Sequence, residues 1–560
     1  MRVRKRRNAF LLILLVYVTL TPLAQPSSAN EQLLTRVEAT EKYGIGYTAW
    51  GLGIAADRLP LAPISLSIMP GNLPRVECRG ISDPNCTDSE DLYQTLYLDL
   101  CNETSQLSCI AGVWVRDLNG KVYQGVLEDR YLLAEANTVK EDVERNLPAS
   151  SSKGAIWKFS GVEGSESSFR LFTFTFVTMF KNVGKRKFGY GEINSSIVPV
   201  KPAESKGRLI DDQECVGVVG SICQKPVDFP TGLRVGLTLR LGEKLDGWFH
   251  GRLTKPEIVV KGWKNGQEIS VEGEPVKVPS IDFVVPKVQL SNELQALFAI
   301  DSRDAGVLAA LQGQCVASST MSCIAQTGGN LAHPRTMQLV TDFAPVYGDR
   351  ATVTSSYWSF KNMFNHAGGF DQSSITRCTK SEDSLMGLIL TNALTYSSGP
   401  PTFDQGSGAL VYKVASPHYE ASGQVASGTY DLTLRSDVAR CIYGLSNAPI
   451  RAEVTITGDE GEKRIATTVV NEKDGWLYLS AKGFTFSAPV IRVKLSEDKA
   501  VEAKPVATPT PEASATLSTS NQQSGVTKSP TKKTITCVKG AQKKRVSGSK
   551  PVCPKGFKKA

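Results

Sequence analysis

The chain has 560 residues, a length that accommodates about three to five folded units and excludes one small module. Hydrophobic residues make up 41% and charged residues 21%, so the chain is neither disordered throughout nor a multi-span membrane protein. The formal net charge is +9, but five cations lie in the first seven residues and eleven lie between Lys528 and Lys559. The intervening part of the chain is therefore mildly acidic.

Residues 1–29 have the features of a secretory signal peptide. A basic start precedes an apolar run from Ala9 to Leu20, and small residues follow at Ser27 and Ala29. An uncleaved membrane anchor is the alternative, but the run is shorter than the roughly 20 residues that span a bilayer. We therefore expect a secreted, extracellular protein that is either released or associated with the cell surface.

Twelve cysteines form an even set, which is typical of disulfide bonding in an oxidising space. Four pairs are eight positions apart, and the last four cysteines match most simply in chain order. The expected bonds are Cys78–Cys86, Cys101–Cys109, Cys215–Cys223, Cys315–Cys323, Cys378–Cys441 and Cys537–Cys553. Exchanged pairings among the first four cysteines stay open. A metal site is disfavoured because there is no CxxC motif and the four histidines are scattered.

Alternating β-branched and aromatic residues predict strands over most of residues 155–500. The clearest runs are 170–180, 233–241, 268–272, 277–285, 410–415, 429–435 and 452–457. Turn sequences at 264–266, 458–461 and 473–475 predict hairpins, since these loops need residues that tolerate positive φ. Helical periodicity is weak, and only 32–42, 128–146 and 292–311 are predicted to contain helical turns. The predicted fold class is mainly β, with antiparallel sandwich-like domains.

Two short matches indicate an internal duplication. Residues 101–111 share a Cys, Ser, Ser, Cys, Ile, Ala pattern with residues 315–325, and the sequence Leu-Thr-Leu-Arg at 237–240 recurs at 432–435. Because the order of the matches is preserved, we predict two related β-rich domains, at 30–290 and 291–500. Chance similarity between strands and disulfide-closed loops is the alternative.

The chain ends in a polar segment and a basic tail. Residues 501–533 are rich in Pro, Thr, Ser and Ala without apolar periodicity, which predicts a disordered linker. Residues 534–560 contain Cys537 and Cys553, and no acidic residue follows Glu512. We expect the tail to bind a polyanion through Lys539, Lys543, Lys544, Arg545, Lys550 and Lys555. A solvated end that only aids solubility is the alternative.

The segments Thr536-Cys537-Val538-Lys539-Gly540 and Lys550-Pro551-Val552-Cys553-Pro554 belong to a tail that resembles a recurrent basic ending of secreted actinobacterial proteins. The stretch from 416–418 through 428–431 to 483–487 is similar to repeated β-rich extracellular domains of such proteins. The resemblance implies an exported surface protein with a short two-cysteine tail. It implies no particular activity and brings no catalytic residues.

No residue pattern in the sequence identifies a reaction. A Gly-x-Ser-x-Gly elbow, an HExxH motif, a phosphate-binding glycine loop and EF-hand spacing are all missing. His250 and His418 have the most distinctive settings, although a structural role is favoured at each. Tryptophans that could stack on sugar rings, with core packing as the favoured role, are Trp248, Trp263, Trp358 and Trp476. We infer no catalytic residues, no cofactor and no metal.

The favoured function is that of a secreted or cell-surface structural or binding protein. Its tail is expected to contact an anionic cell-wall polymer or membrane headgroups, and its β domains a glycan or protein ligand. Nucleic acid is not expected, because an exported chain seldom meets it. The alternative is an extracellular hydrolase that acts on glycan or peptide, with its site at the loop ends of a β domain.

Overall fold

The computed structural model describes most of the chain between residues 92 and 497 and short segments on either side. The described residues are 48–52, 65–68, 76–78, 92–133, 138–162, 169–181, 187–205, 215–285, 291–293, 340–362, 378, 384–397, 400–457, 463–465, 467–486, 490–497, 533–539, 542–548, 553 and 558–559. The predicted signal peptide and the linker up to residue 532 lie outside these residues. The chain divides into two compact units, Met1–Lys499 and Ala500–Ala560.

The first unit is built almost wholly of strands. Its first strands are β1 (Thr48–Leu52), β2 (Ser65–Ile68), β3 (Val76–Cys78), β4 (Leu92–Tyr97), β5 (Cys109–Arg116), β6 (Val122–Gln124), β7 (Val126–Leu132), β8 (Lys153–Phe159), β9 (Phe169–Lys181), β10 (Gly189–Glu204), β11 (Val218–Val219), β12 (Ile222–Pro226), β13 (Arg234–Leu241), β14 (Gly247–Trp263) and β15 (Gly266–Val285). These are followed by helix α1 (Ala344–Tyr347), β16 (Val353–Asn362), β17 (Leu385–Thr391), β18 (Thr395–Tyr396), β19 (Thr402–Asp404), β20 (Ala409–Ala415), β21 (Ser427–Arg435), helix α2 (Ser436–Tyr443), β22 (Ile450–Thr457), β23 (Lys463–Ile465), β24 (Thr467–Lys473), β25 (Trp476–Thr485) and β26 (Val490–Glu497). The predicted mainly β fold class is confirmed.

Most strands of the first unit belong to one 20-stranded sheet. Four long strands hold its parts together, because each changes partners along its length. The first half of β9 pairs with β8 and its second half with β4. Similarly, β10 pairs with β16 and then with β12, while β14 pairs first with β16 and β17 and then with β15. Strand β15 pairs with β13 and β14, then with β16, and finally with β1. All these pairs are antiparallel except β14–β17, which is parallel. A separate sheet has the order β18–β20–β26–β22–β23, with β19 beside β20.

Several predicted strands and turns coincide with observed ones. The seven clearest predicted runs lie in β9, β13, β15, β20, β21 and β22, and the runs 268–272 and 277–285 are parts of the single strand β15. At the turn between β24 and β25, Asp474 and Gly475 both have positive φ, of 53° and 79°. This is the backbone of a type I′ hairpin, which matches the right-handed twist of its strands.

One predicted helix is wrong. Residues 128–132 belong to β7, which pairs with β8, and residues 138–146 contain isolated bridges and turns. The apolar spacing that resembled a helix is overridden by pairing with β8. The predicted helix at 32–42 lies outside the described residues, as does nearly all of 292–311.

Two hydrophobic cores lie on opposite faces of a shared wall formed by β14 and β17. Phe249, Leu388 and Leu390 belong to the first core, whereas Trp248 and Ile389 belong to the second. Successive side chains of a strand point to opposite faces, so each of these two strands is buried on both faces. On the second-core face of β14, Trp248 is followed by the buried polar residues His250 and Arg252. The wall lets one pair of strands serve both cores.

The sheet crosses the predicted domain boundary near residue 290. Strands β16 and β17, from the predicted second domain, pair with β10, β14 and β15 of the predicted first domain. The first core likewise includes Trp358, Phe360 and Trp476 from the later segment. The division into domains at 30–290 and 291–500 therefore does not coincide with a break in the sheet or the core. Long non-local pairing of this kind leaves no local signal in a sequence.

The proposed duplication has a counterpart in strand connectivity. The two Leu-Thr-Leu-Arg sequences lie in β13 and β21, and each of these strands pairs with the second strand of a later tight hairpin. These hairpins are β14–β15, with Lys264 and Asn265 at the turn, and β24–β25. The duplication stays a prediction, and the shared strand arrangement agrees with it.

Disulfides join Cys101 to Cys109, Cys215 to Cys223 and Cys378 to Cys441, which are pairs that the spacing predicts. Two further cysteines, Cys78 and Cys553, are also disulfide-bonded. The side chains of the partners predicted for these two, Cys86 and Cys537, lie outside the described part, as do Cys315 and Cys323. Several disulfides are typical of an oxidising compartment.

A buried carboxylate, Glu272, holds the face of β5, β13 and β15 together. It accepts hydrogen bonds from Trp114 Nε1 at 2.7 Å, Arg116 Nε at 2.8 Å and Arg234 Nε at 2.7 Å. The Trp114 ring crosses Gly236, where a Cβ would lie 2.1 Å from it. Burial raises the pKa of Glu272, but these donors outweigh it and lower the pKa to about 2.

The long disulfide should stabilise the protein more than a short one. Replacing Cys378 and Cys441 by serine should cost about 4 kcal/mol, whereas replacing Cys215 and Cys223 should cost about 2.5 kcal/mol, because closing a longer loop removes more entropy from the unfolded chain. Equilibrium unfolding in urea measures both. Equal losses for the two double variants would contradict this loop-entropy argument.

Glu272→Gln should lower the free energy of unfolding at neutral pH by about 2 kcal/mol, after allowance for solvent screening. Because the folded pKa of Glu272 lies below its unfolded value, its contribution is present above pH 4.5 and disappears as the pH falls towards about 2. Thermal unfolding of both proteins across this range measures the effect. The difference between them should shrink on acidification; a constant difference would contradict the assignment.

Candidate functional site

A charged cleft of about 490 Å³ lies between the first half of the protein and the face of β21 and β25 that points away from the second core. We call it the inner cleft. Among the polar groups that line it are Arg234, Lys255, Glu257, Asp431, Thr433 and Lys482. They come from β13, β14, β21 and β25, so only the folded chain brings them together.

Strict alternation in β21 produces the polar wall of the inner cleft. Leu432 and Leu434 are buried in the second core, while the intervening Asp431 and Thr433 point to the opposite face. In the neighbouring strand, Ser480 lies directly opposite Asp431. This face is covered by β14 and is not exposed to water: Asp431 is 1% exposed and Thr433 is 0% exposed.

Asp431 is a buried carboxyl group that contacts β14. It accepts a hydrogen bond from Thr254 Oγ1 at 2.7 Å and a longer one from the backbone N–H of Lys255 at 3.4 Å. Burial raises the pKa of Asp431, and the Thr254 hydrogen bond and the nearby Lys482 ammonium only partly oppose this shift. The neutral acid is therefore favoured relative to an exposed aspartate.

Lys482 is half-buried and has a pKa below its ordinary value. Burial is the largest cause, and the positive charges of Lys255 and Arg234 lower the pKa further, while Asp431 opposes them. Both titratable groups at the centre of the cleft are thus shifted towards their neutral forms. Such opposite shifts in one cleft are common at functional sites.

The wall contributed by β14 has an irregular backbone. Lys255 has a φ of 50°, a conformation that non-glycine residues seldom adopt, and the pairing of β14 with β15 shifts register between Thr254 and Glu257. The bulge turns the Lys255 ammonium to Glu274, with an N–O distance of 2.6 Å. It also allows Thr254 and the Lys255 backbone to face Asp431.

A larger cleft of about 630 Å³ lies at the start of helix α2. Its charged groups neutralise one another: Arg440 forms a bidentate pair with Glu472 at 2.9 and 3.1 Å, and Arg435 pairs with Asp437. Because these charges are paired within the wall, this cleft has less free charge to offer a ligand than the inner cleft.

The residues singled out in the sequence lie elsewhere. His250 is fully buried, with Nδ1 hydrogen-bonded to the Tyr396 hydroxyl, and His418 is half-buried with its backbone N–H donating to Asp349. Three of the four tryptophans, Trp248, Trp358 and Trp476, are buried, and Trp263 is partly exposed. Cation contacts to Trp263 come from Arg240 and Lys264.

The second unit is a small sheet in the basic tail. Strand β27 (Lys533–Lys539) lies between β28 (Gln542–Gly548) and β29 (Lys558–Lys559). Of the predicted polyanion-binding residues, Lys539 lies in β27, while Lys543, Lys544 and Arg545 lie in β28. Lys550 and Lys555 lie outside the described residues.

Sequence reasoning missed the inner cleft. An aspartate at the centre of a strand is unusual, and Asp431 was the one available signal. Alternation alone assigns such a residue to a solvated face, since it does not reveal that another strand covers that face.

In the part of the chain that the structure describes, no cluster of three or more metal-ligating side chains occurs. Among the same residues, no helix has the length and hydropathy needed to cross a membrane.

Comparisons with protein-family models, with curated proteins and with solved structures find no match for this chain.

Asp431→Asn should raise the free energy of unfolding at neutral pH by about 1–2 kcal/mol, because the amide avoids the cost of a buried charge and still accepts from Thr254. Since the folded pKa of Asp431 lies above its unfolded value of 3.8, wild-type stability should fall as the pH rises from 3.8 through the folded pKa. The variant should lack this loss. Thermal unfolding between pH 3 and 8 measures it, and a variant less stable than wild type at pH 7 would contradict the prediction.

Proposed function

We propose that this protein is a secreted binding protein of the cell surface, whose tail contacts an anionic surface polymer while the β-rich unit carries a ligand site. The observation that carries the proposal is the strand order of the tail, in which the basic strands β28 and β29 lie on either side of β27. The resemblance of the tail to endings of secreted actinobacterial proteins supports the same function.

Backbone register in the tail places cations on both sides of the central strand. Lys543 and Lys558 flank Val538, while Lys544 and Lys559 flank Cys537. Lys558 and Lys559 are exposed. Neighbouring strands are about 4.8 Å apart, so the backbone positions of these four lysines lie close together. With no acidic residue after Glu512, the charged side chains of this segment are all positive, which favours attraction of a polyanion.

The composition of the rest of the chain agrees with attachment by the tail and ligand binding by the β-rich unit. The acidic main part of the chain would be repelled by an anionic surface, whereas the tail would be attracted to it. The disulfides support maturation outside the cytoplasm, and the predicted signal peptide supplies the route.

Removing residues 534–560 should release the protein from isolated cell envelopes. Retention of the full chain should fall steeply between about 0.1 and 1 M NaCl, because the screening length drops from about 10 to about 3 Å. Sedimentation of envelopes with the bound protein measures this. Retention that is insensitive to salt and survives the deletion would overturn the proposal.

Two variants that each lose three positive charges distinguish binding by the tail from an effect of net charge. Lys543→Gln, Lys544→Gln and Arg545→Gln together should lower envelope binding about as strongly as the deletion. The control is the triple change of Lys140, Lys153 and Lys413 to glutamine, which removes three positive charges from exposed positions of the first unit. If the control lowers binding equally, net charge rather than the tail is responsible.

A further inference from the structure

We propose that the inner cleft is a binding site for a small organic carboxylate, drawn by the Lys482 ammonium, with the Thr433 hydroxyl as a further donor in the same cleft. This site is separate from the tail and does not depend on the surface attachment proposed above.

The charges at the cleft are nearly balanced, and of the described cations there Lys482 is the one without a close carboxylate. Four cationic side chains, those of Arg234, Lys255, Lys473 and Lys482, face two carboxyl groups, those of Glu257 and Asp431. Two further carboxylates, Glu272 and Glu274, pair with Arg234 and Lys255 from outside the lining. Burial raises the pKa of Asp431, which weakens it as a counter-ion for Lys482.

Three of these four cations already have carboxylate partners. Arg234 pairs with Glu272 at 2.7 Å, Lys255 with Glu274 at 2.6 Å, and Lys473 with Glu257 at 3.9 Å. Among the described residues, Lys482 is the one cation of the lining that forms no ion pair within 4 Å. Its half-buried ammonium is therefore the group to which an incoming anion would be drawn.

Thr433 supplies an independent sign of a ligand. Its Oγ1 is buried, lines the cleft, and has no hydrogen-bond partner among the described residues. A buried hydroxyl without a partner costs about 1–3 kcal/mol. An acceptor atom of a bound ligand would satisfy it.

The available donors fit a carboxylate better than a phosphate. The Lys482 ammonium matches the single negative charge of a carboxylate, and the Thr433 hydroxyl can donate a hydrogen bond in the same cleft, whereas a phosphate has more oxygens and more charge to satisfy. The remaining wall includes the apolar surfaces of Pro256, Tyr478 and Leu479, which suit an apolar body attached to the acid group.

The test is titration of the full chain with benzoate, with benzamide as the uncharged analogue of the same shape and inorganic phosphate as a second anion. We expect saturable benzoate binding by calorimetry together with a rise in the melting temperature, and little effect of benzamide. Saturable phosphate binding that benzoate cannot displace, or no saturable benzoate binding, would overturn the proposal.

Two variants connect binding to the named groups. Lys482→Met should weaken benzoate binding at least about tenfold, which corresponds to the loss of one charge-assisted hydrogen bond. Lys413→Met removes the same charge from an exposed site in β20 and should leave affinity unchanged. Equal affinity in wild type and Lys482→Met would overturn the assignment.

Thr433→Val tests whether the Thr433 hydroxyl contributes to ligand binding or only to folding stability. Valine has the same shape but no hydroxyl, so the free protein should be at least as stable as wild type while benzoate affinity falls several-fold. If Lys482→Met does not fold, this variant alone decides. Unchanged benzoate affinity in a folded Thr433→Val protein would contradict the proposed role of the hydroxyl.

Discussion

The structure depends on one constraint: the pair of strands β14 and β17 is buried on both faces, because a hydrophobic core lies on each side. Phe249 and Leu388 face one core, and Trp248 and Ile389 face the other. Strands that are buried on both faces lose the alternation that marks a half-exposed strand. Their parallel pairing also joins segments more than a hundred residues apart, so the two cores form in one compact unit.

The inner cleft follows from where this wall ends. Beyond β17 the sheet continues into β21 and β25, which keep an apolar face towards the second core but present polar residues on the other face. Strand β14 bends away at the bulge around Lys255 and closes over that polar face. The result is a partly enclosed polar surface between two apolar cores, where Asp431 and Thr433 are buried.

Burial gives the same side chains different chemistry from that of exposed ones. A carboxyl group that is shielded from water has a raised pKa, and an ammonium in the same setting has a lowered one, as Asp431 and Lys482 show. By contrast, Glu272 is also buried but receives three side-chain donors, and its pKa falls to about 2. The difference lies in the hydrogen bonds that offset burial. Glu272 accepts from three charged or polar side chains, whereas Asp431 accepts from the Thr254 hydroxyl and one backbone N–H.

The sequence by itself determined the class of fold, because β-branched alternation, tight turns such as Asp474-Gly475 and evenly spaced cysteines are local signals. It also showed that the tail is basic and the main part of the chain acidic. Only the tertiary structure decided which faces are covered. Asp431 has the pattern of a solvated residue and residues 128–132 have helical spacing, yet strand pairing overrides both. The repeated matches indicate a boundary near residue 290, and strands pair across it. The reason is physical: burial and non-local pairing depend on partners distant in the chain, and no local pattern records them.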